Sequence, residues 1–215
     1  MELISVNVGL PRDVVWKGRT VTTGIFKEPV AGAVTLRKLN LDGDRQADLS
    51  VHGGPEKAVY GYPSEHYTYW RDKVGRNDSG WGSWGMFGEN LTTAGILEEE
   101  TNIGDQFRIG STLLMVTQPR MPCYKLGIKF GREDMLKLFL RSLKSGFYFS
   151  VLKEGEVAAG DEIELVARDP NNITVTDITK LYSTERDNDE LKRRAVEVEA
   201  LPASWRNFFL KQLED

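Results

Sequence analysis

The sequence predicts a mainly β domain, a closed or partly closed β-barrel with peripheral helices, followed by a small C-terminal three-helix subdomain. Three observations predict it. Short runs rich in β-branched residues recur through the first 170 residues and end in glycine or proline signals. Helical patterns in that stretch are scattered and show no strand–helix–strand alternation, which argues against a doubly wound parallel sheet. After Asp169-Pro170-Asn171-Asn172 the composition changes and helical patterns follow one another. The predicted domains are therefore residues 1–169 and 172–215.

Taken in order, Leu3 to Val8 is an apolar run of strand length. Val21 to Phe26 and Ala33 to Leu39 are the next two, and Leu41-Asp42-Gly43-Asp44 is a turn. Lys57 to Tyr62 reads as a strand stopped by Pro63; Ser64 then caps a helix with Tyr67, Trp70 and Val74 on one face. Residues 75–88 form a Gly/Ser/Trp-rich loop whose Trp81, Trp84, Met86 and Phe87 either line a cleft or cover a barrel end. Gln106 to Thr117 gives two strands joined at Gly110, Arg132 to Leu143 is an amphipathic helix, and Phe147 to Leu152 and Asp161 to Val166 are strands separated by a Gly155/Gly160 turn region. In the tail, Ile178, Leu181 and Tyr182 share a face, as do Leu191, Ala195 and Val198. Pro202 opens the third helix, lined by Trp205, Phe208, Phe209 and Leu213. So short a bundle is marginal alone and is expected to dock on the barrel or on a partner subunit. The aromatic face of its last helix suits either intramolecular core or a homodimer contact, the homodimer being preferred.

The 215 residues carry one cysteine, a formal charge of −4 and a pI of about 5.4. A single cysteine makes no internal bridge and points to no oxidising compartment. The first residues, Met1-Glu2-Leu3-Ile4-Ser5, lack the basic and apolar regions of a secretion signal. No run approaches the ~20 apolar residues of a membrane span. A cytoplasmic protein with no membrane partner is expected. The acidic balance argues against a nucleic-acid polymer as partner, but leaves room for a small cationic pocket holding one anionic ligand.

The segment with most chemistry is Gln118-Pro119-Arg120-Met121-Pro122-Cys123-Tyr124-Lys125. Two prolines fix the backbone around Cys123, and Arg120 and Lys125 flank it. Nearby cations favour the thiolate, the form that attacks electrophiles and binds soft metals. A lone cysteine is usually a small buried hydrophobe; the prolines and cations shift the balance here toward chemistry. A second segment, His52-Gly53-Gly54-Pro55-Glu56-Lys57, allows a tight turn that brings backbone N–H groups, His52 and Lys57 toward a ligand, or else a plain solvated hairpin. A third, Gly88-Glu89-Asn90-Leu91, either places the Asn90 amide in a cleft or supports a turn. No dinucleotide or Walker phosphate loop is present. With Cys123, His52 and His66 as the only Cys and His residues, a Cys/His zinc site or an iron–sulfur cluster cannot be assembled.

Together with the Gly155 to Asp161 turn, these segments resemble the MOSC domain family, named for the C-terminal domain of molybdenum cofactor sulfurases. The likeness covers about residues 1–168, and residues 172–215 resemble the three-helix domain appended to stand-alone bacterial YiiM-type members. The resemblance implies a MOSC-type β-barrel that binds the molybdenum cofactor, a molybdopterin, with Cys123 as metal ligand and Arg120 and Lys57 as partners of the cofactor phosphate. His52, Asn90 and Gln118 are implied as polar contacts to pterin or substrate, with His52 the candidate acid beside Cys123. It further implies reduction of N-hydroxylated small molecules, such as hydroxylaminopurine-type bases, with electrons from an external flavin or iron–sulfur protein. A non-catalytic cofactor or sulfur carrier is the alternative. A metal-free thiol enzyme with Cys123 as nucleophile and His52 as base ranks last. The chain has no aminotransferase-like domain, so no pyridoxal-phosphate chemistry is expected.

Overall fold

A computed structural model describes residues 1–47, 53–75, 81 and 83–214. Its central feature is an eight-stranded sheet in the order β12-β8-β9-β10-β6-β7-β1-β4. The strands are β1 (Glu2–Val8), β4 (Glu28–Pro29), β6 (Val59–Pro63), β7 (Leu91–Ala94), β8 (Gln106–Ile109), β9 (Thr112–Pro119), β10 (Phe147–Lys153) and β12 (Ile163–Ala167). The sheet closes on itself. Glu2 bridges Glu162 antiparallel, Leu3 N–H donates to the Asp161 carbonyl and Ile163 N–H to the Met1 carbonyl, both at 2.9 Å. Closure removes the edges that an open sheet would leave unpaired. Two ribbons stand apart: β2 (Arg12–Trp16) with β3 (Arg19–Thr23), and β5 (Val34–Leu36) with β11 (Gly155–Val157).

Alternating inward residues fill the barrel. Leu3, Val6, Val59, Leu91, Ile109, Leu114, Val116, Phe147 and Phe149 are all fully buried in one cluster. That cluster continues without a break into the C-terminal helices α4 (Val175–Ser183), α5 (Asp189–Val196) and α6 (Ala203–Glu214) through Ile178, Leu181, Ala195 and Phe209. The helical domain thus docks on the barrel of its own chain. Backbone bonds reinforce the joint: Ile103 N–H to Ile173 O at 2.8 Å and Val175 N–H to Thr101 O at 2.9 Å. A reciprocal Thr174/Asp177 capping box starts α4, and Asn188 caps α5 through Leu191 N–H.

A second apolar cluster sits outside the barrel. It joins α1 (His66–Val74), the described residues at 81–87, and α3 (Met135–Ser142) around Tyr62, Trp70, Phe87 and Phe139. Tyr62 stacks on Phe87 at 4.3 Å, and Trp70 donates its indole N–H to the Tyr62 hydroxyl at 2.6 Å. The described residues of the apolar loop, 81 and 83–88, therefore belong to a packed wall. Trp81 and Phe87 are buried in it.

Several elements differ from expectation. The strand expected from Lys57 begins at Val59, because Pro55–Lys57 forms a 3-10 turn. Ser64 is not the helix cap: α1 begins at His66 with no side-chain cap, and the Ser64 carbonyl instead accepts Tyr67 N–H. β6 and β7 pair in parallel with α1 between them, so one strand–helix–strand crossover exists inside an otherwise antiparallel sheet. Residues 155–157, expected as turn, pair with β5. A helix was also missed altogether, α2 (Tyr124–Phe130), directly after Cys123. Phe208 is 39% exposed, so α6 does not bury the whole of its aromatic face.

Candidate functional site

A concavity lies where the end of β9, the start of α2, the Pro55–Lys57 turn and residues 23–27 and 45–47 meet. Cys123, Arg120, Lys57 and Asn90, far apart in sequence, all line it, together with Lys27, Arg45, Tyr60, Lys125 and Tyr148. His52 lies outside the described residues; its neighbour Gly53 lines the cavity.

Cys123 is presented by the local sequence. β9 ends at Pro119, and Cys123 has extended dihedrals (φ −116°, ψ 168°) as the residue before α2. Its carbonyl accepts Leu126 N–H at 2.9 Å, while its thiol makes no helix-capping bond. The side chain is half-buried and forms no disulfide. The amide N–H groups at the start of a helix favour an anion beside them, which suits a thiolate here.

Arg120 sits deeper. It is 6% exposed, and its Nη1 is buried with no hydrogen-bond partner. The guanidinium lies over the rings of Tyr60 and Phe139, at 5.1 and 5.3 Å from their centroids. Burial acts to lower Arg120, but at the alkaline pH where a guanidinium would titrate, Tyr60, Tyr148 and Cys123 around it hold it above its ordinary value. Burial pushes Tyr60 well above, and Tyr148 above, the usual phenol range. Both phenols are therefore neutral at physiological pH, and neither neutralises the guanidinium. A buried cation with an unsatisfied N–H is costly unless an anion completes it.

The wall charge has one sign. Lys27, Arg45, Lys57, Arg120 and Lys125 line the cavity, and no carboxylate does so among the described residues. Lys27 is neutralised from behind: it pairs with buried Asp44, whose carboxylate also accepts Gly9 N–H and Asn90 Nδ2–H, each at 2.9 Å. Burial lowers Lys27, and Asp44 opposes that shift.

Two of the expected contact residues make bonds to the framework. Asn90 lines the cavity, but its Oδ1 accepts Tyr60 N–H at 3.2 Å and its Nδ2 donates to Asp44 and to the Asn7 carbonyl. Gln118 does not line the cavity at all. Its amide bridges the Glu56 carbonyl and the Trp205 indole, so it faces the helical domain. The nearby Gly54 and Gly88 carry positive φ of 93° and 76°. A Cβ on Gly88 would lie 2.8 Å from Ile25 Cγ1, so the turn closes tightly on its neighbour.

Sequence reasoning overlooked Tyr60, Tyr148, Lys27 and Arg45. Tyr60 was visible only as a strand residue, and the two cations sit in segments without a motif. The α2 helix carried a usable signal: Leu126 and Phe130 four residues apart, then Gly131 at φ 63° as its terminator.

The donor set suits a phosphorylated group bearing a soft metal. One thiol stands beside an uncompensated guanidinium in a basic hollow, and no group of three or more His, Cys, Asp and Glu side chains converges as a metal site among the described residues. Such a metal would bring its other ligands with it.

Comparison with known proteins agrees with this fold. The MOSC domain profile matches residues 48–164, and the YiiM-like, 3-alpha helix domain profile matches residues 173–215. A Bacillus subtilis protein, YflK, is 41% identical over 210 residues, covering 98% of this chain and 93% of YflK. The crystal structure of YiiM from Geobacillus stearothermophilus superimposes with a TM-score of 0.81 at 38% identity, covering 99% of this chain and 98% of that one. A Gibberella moniliformis protein named reductase is 36% identical over 152 residues, which are 70% of this chain but 27% of that protein. A closed barrel with a docked three-helix tail and matches along nearly its whole length place the chain in the MOSC domain family, among its YiiM-like members.

Proposed function

We propose that the chain binds the molybdenum cofactor in the Cys123–Arg120 cavity and reduces N-hydroxylated small molecules, such as hydroxylaminopurine-type bases. The observation that carries this reading is the buried, unpartnered Nη1 of Arg120 beside Cys123 in a hollow lined by cations. When bound, the cofactor supplies a two-electron centre. The chain's own residues do the rest. The Cys123 thiolate is the protein ligand to the metal. Arg120 and Lys57 hold the cofactor phosphate through charge-assisted contacts. Neutral Tyr60 and Tyr148 wall the site from water and keep the guanidinium field undiminished. His52, adjacent to the cavity-lining Gly53, is the candidate proton donor, since imidazole exchanges protons near neutral pH. In the net reaction the N–O bond breaks, two electrons and two protons enter, and an amine and one water leave.

Electrons come from a separate flavin or iron–sulfur protein. The fungal relative supports a reductive role, because a segment like this one occupies about a quarter of a larger protein named reductase. The second reading is a non-catalytic carrier of the cofactor, which the same cavity would serve.

The test is metal analysis of protein made in a cofactor-producing bacterial host, followed by turnover with an artificial reductant. Molybdenum should be bound by wild type and lost in Cys123→Ser. Equal molybdenum in both removes Cys123 as the ligand. Bound cofactor without reduction of any N-hydroxylated base selects the carrier.

A further inference from the structure

The cavity holds more positive charge than one cofactor phosphate uses. Of its five basic residues, Lys27 is balanced by Asp44, and Arg120 and Lys57 are assigned to the cofactor phosphate in the proposed function, on which this step rests. Arg45 and Lys125 remain. Arg45 is exposed and Lys125 half-buried, so both belong to the outer wall, whereas Arg120 is buried. Neither forms an ion pair with a described carboxylate, although this chain carries a net charge of −4. Lys125 is two residues past Cys123 in the first turn of α2, and Arg45 directly follows the Asp44 that anchors Lys27 and Asn90. Both cations are therefore adjacent in sequence to residues that build the site.

We propose that Arg45 and Lys125 bind a second phosphate, carried by the substrate, so that the molecule reduced is an N-hydroxylated nucleotide rather than the free base. Two cations at the wall match a phosphate monoester dianion and would steer it inward. The base end, with its N–O bond, then points toward Cys123. The bond that breaks is N–O; two electrons from the reductant and two protons enter, and the amino nucleotide and one water leave.

The test uses holoprotein reduced by dithionite-treated methyl viologen, with N6-hydroxyadenosine and its 5′-monophosphate as substrates. Binding of AMP and adenosine, the products, is followed in parallel by equilibrium dialysis. The phosphate should improve kcat/KM and affinity by at least roughly tenfold, the scale of one charge-assisted contact. That ratio should fall toward one in Arg45→Gln/Lys125→Gln and on adding salt. A ratio of one in wild type, or one that survives the double substitution, overturns the proposal. Loss of molybdenum from the double variant overturns it too, because the two cations would then serve the cofactor. If neither substrate is reduced but AMP still outbinds adenosine through these residues, the reductase reading falls and the phosphate site stands.

Discussion

The indole N–H of Trp205 donates to Gln118 Oε1 at 2.9 Å, joining the last helix to the end of the strand that leads into Arg120. The other end of the same amide donates to the Glu56 carbonyl at 3.2 Å, one residue before Lys57. Thr117 Oγ1 reaches that carbonyl as well, at 2.7 Å. One side chain thus ties α6, the end of β9 and the Pro55–Lys57 turn together, and the turn and strand each deliver a cation to the cavity. Trp205→Phe removes the donor and trims the ring that packs on Tyr182, Phe208 and Phe209, so it should cost at least about 1 kcal/mol. Gln118→Leu should cost more, about 2 kcal/mol, because it removes both framework bonds of a buried amide and leaves the half-buried indole N–H without its partner. In a urea-denaturation cycle the double variant should be less destabilised than the sum of the two. Strict additivity would mean the bond contributes nothing.

Arg120 should show opposite signs for binding and stability. Its Nη1 is an unsatisfied buried donor on a buried charge. Replacing such a group by a similar-sized apolar side chain is often neutral or stabilising. Arg120→Met should therefore leave cofactor-free protein as stable as wild type or more so, by up to about 2 kcal/mol. The same variant should bind little molybdenum when made in a cofactor-producing host. A large drop in the urea midpoint of the cofactor-free variant would show that the guanidinium serves packing over Tyr60 and Phe139 rather than a ligand.

What the sequence revealed follows from which forces are local. Cys123 and Arg120 were legible because prolines, a thiol and cations crowd one short segment, and local chemistry survives folding unchanged. The barrel was legible through β-branched runs and turn residues, and the tail through helical spacing ended at Pro202. Closure of β1 on β12 was not, since it depends on a pairing between residues 2 and 162 that leaves no local trace. The framework bonds of Gln118 and Asn90 were hidden for a related reason. An amide near a cleft looks available for a ligand until the distant partners that consume it, Trp205 and Asp44, are brought alongside. Lys27 and Arg45 escaped notice because they come from separate loops that join the expected Lys57, Arg120 and Lys125 only in three dimensions.

Glu89 should prove the most demanding polar residue beside the site. It is fully buried, and its carboxylate accepts from Gly85 N–H at 2.8 Å, Phe87 N–H at 2.9 Å, Thr92 Oγ1 at 3.1 Å and the Tyr67 hydroxyl. Four donors on two oxygens lock the turn that ends at Gly88 on the cavity wall. Glu89→Gln is isosteric but turns one oxygen into a donor, which must face another N–H or O–H. The expected cost is roughly 2–4 kcal/mol, read from urea midpoints, with tryptophan fluorescence reporting the loosened wall around Trp81 and Trp84. A change under about 0.5 kcal/mol would mean the turn is held by aromatic packing alone.

Alkaline pH should unfold the protein through its buried phenols. Burial pushes Tyr60, Tyr62 and Tyr67 well above their ordinary value of 10.0. Above that value the unfolded chain releases these protons while the folded chain keeps them. The folded state then binds more protons, so stability falls as pH rises. Lys27 and Lys129, lowered by burial, act with the opposite sign: the folded state binds fewer protons below their ordinary 10.5, and stability rises with pH up to that point. Past 10.5 the lysine contribution has levelled off and the tyrosines act alone. The urea midpoint should therefore drop steeply above about pH 10.5, with phenolate absorbance at 295 nm appearing for these three residues only as the protein unfolds. Tyr62→Phe should shallow the alkaline slope even though it removes the acceptor of the Trp70 indole and so lowers stability at neutral pH. An unchanged slope in that variant would assign the alkaline transition to other groups.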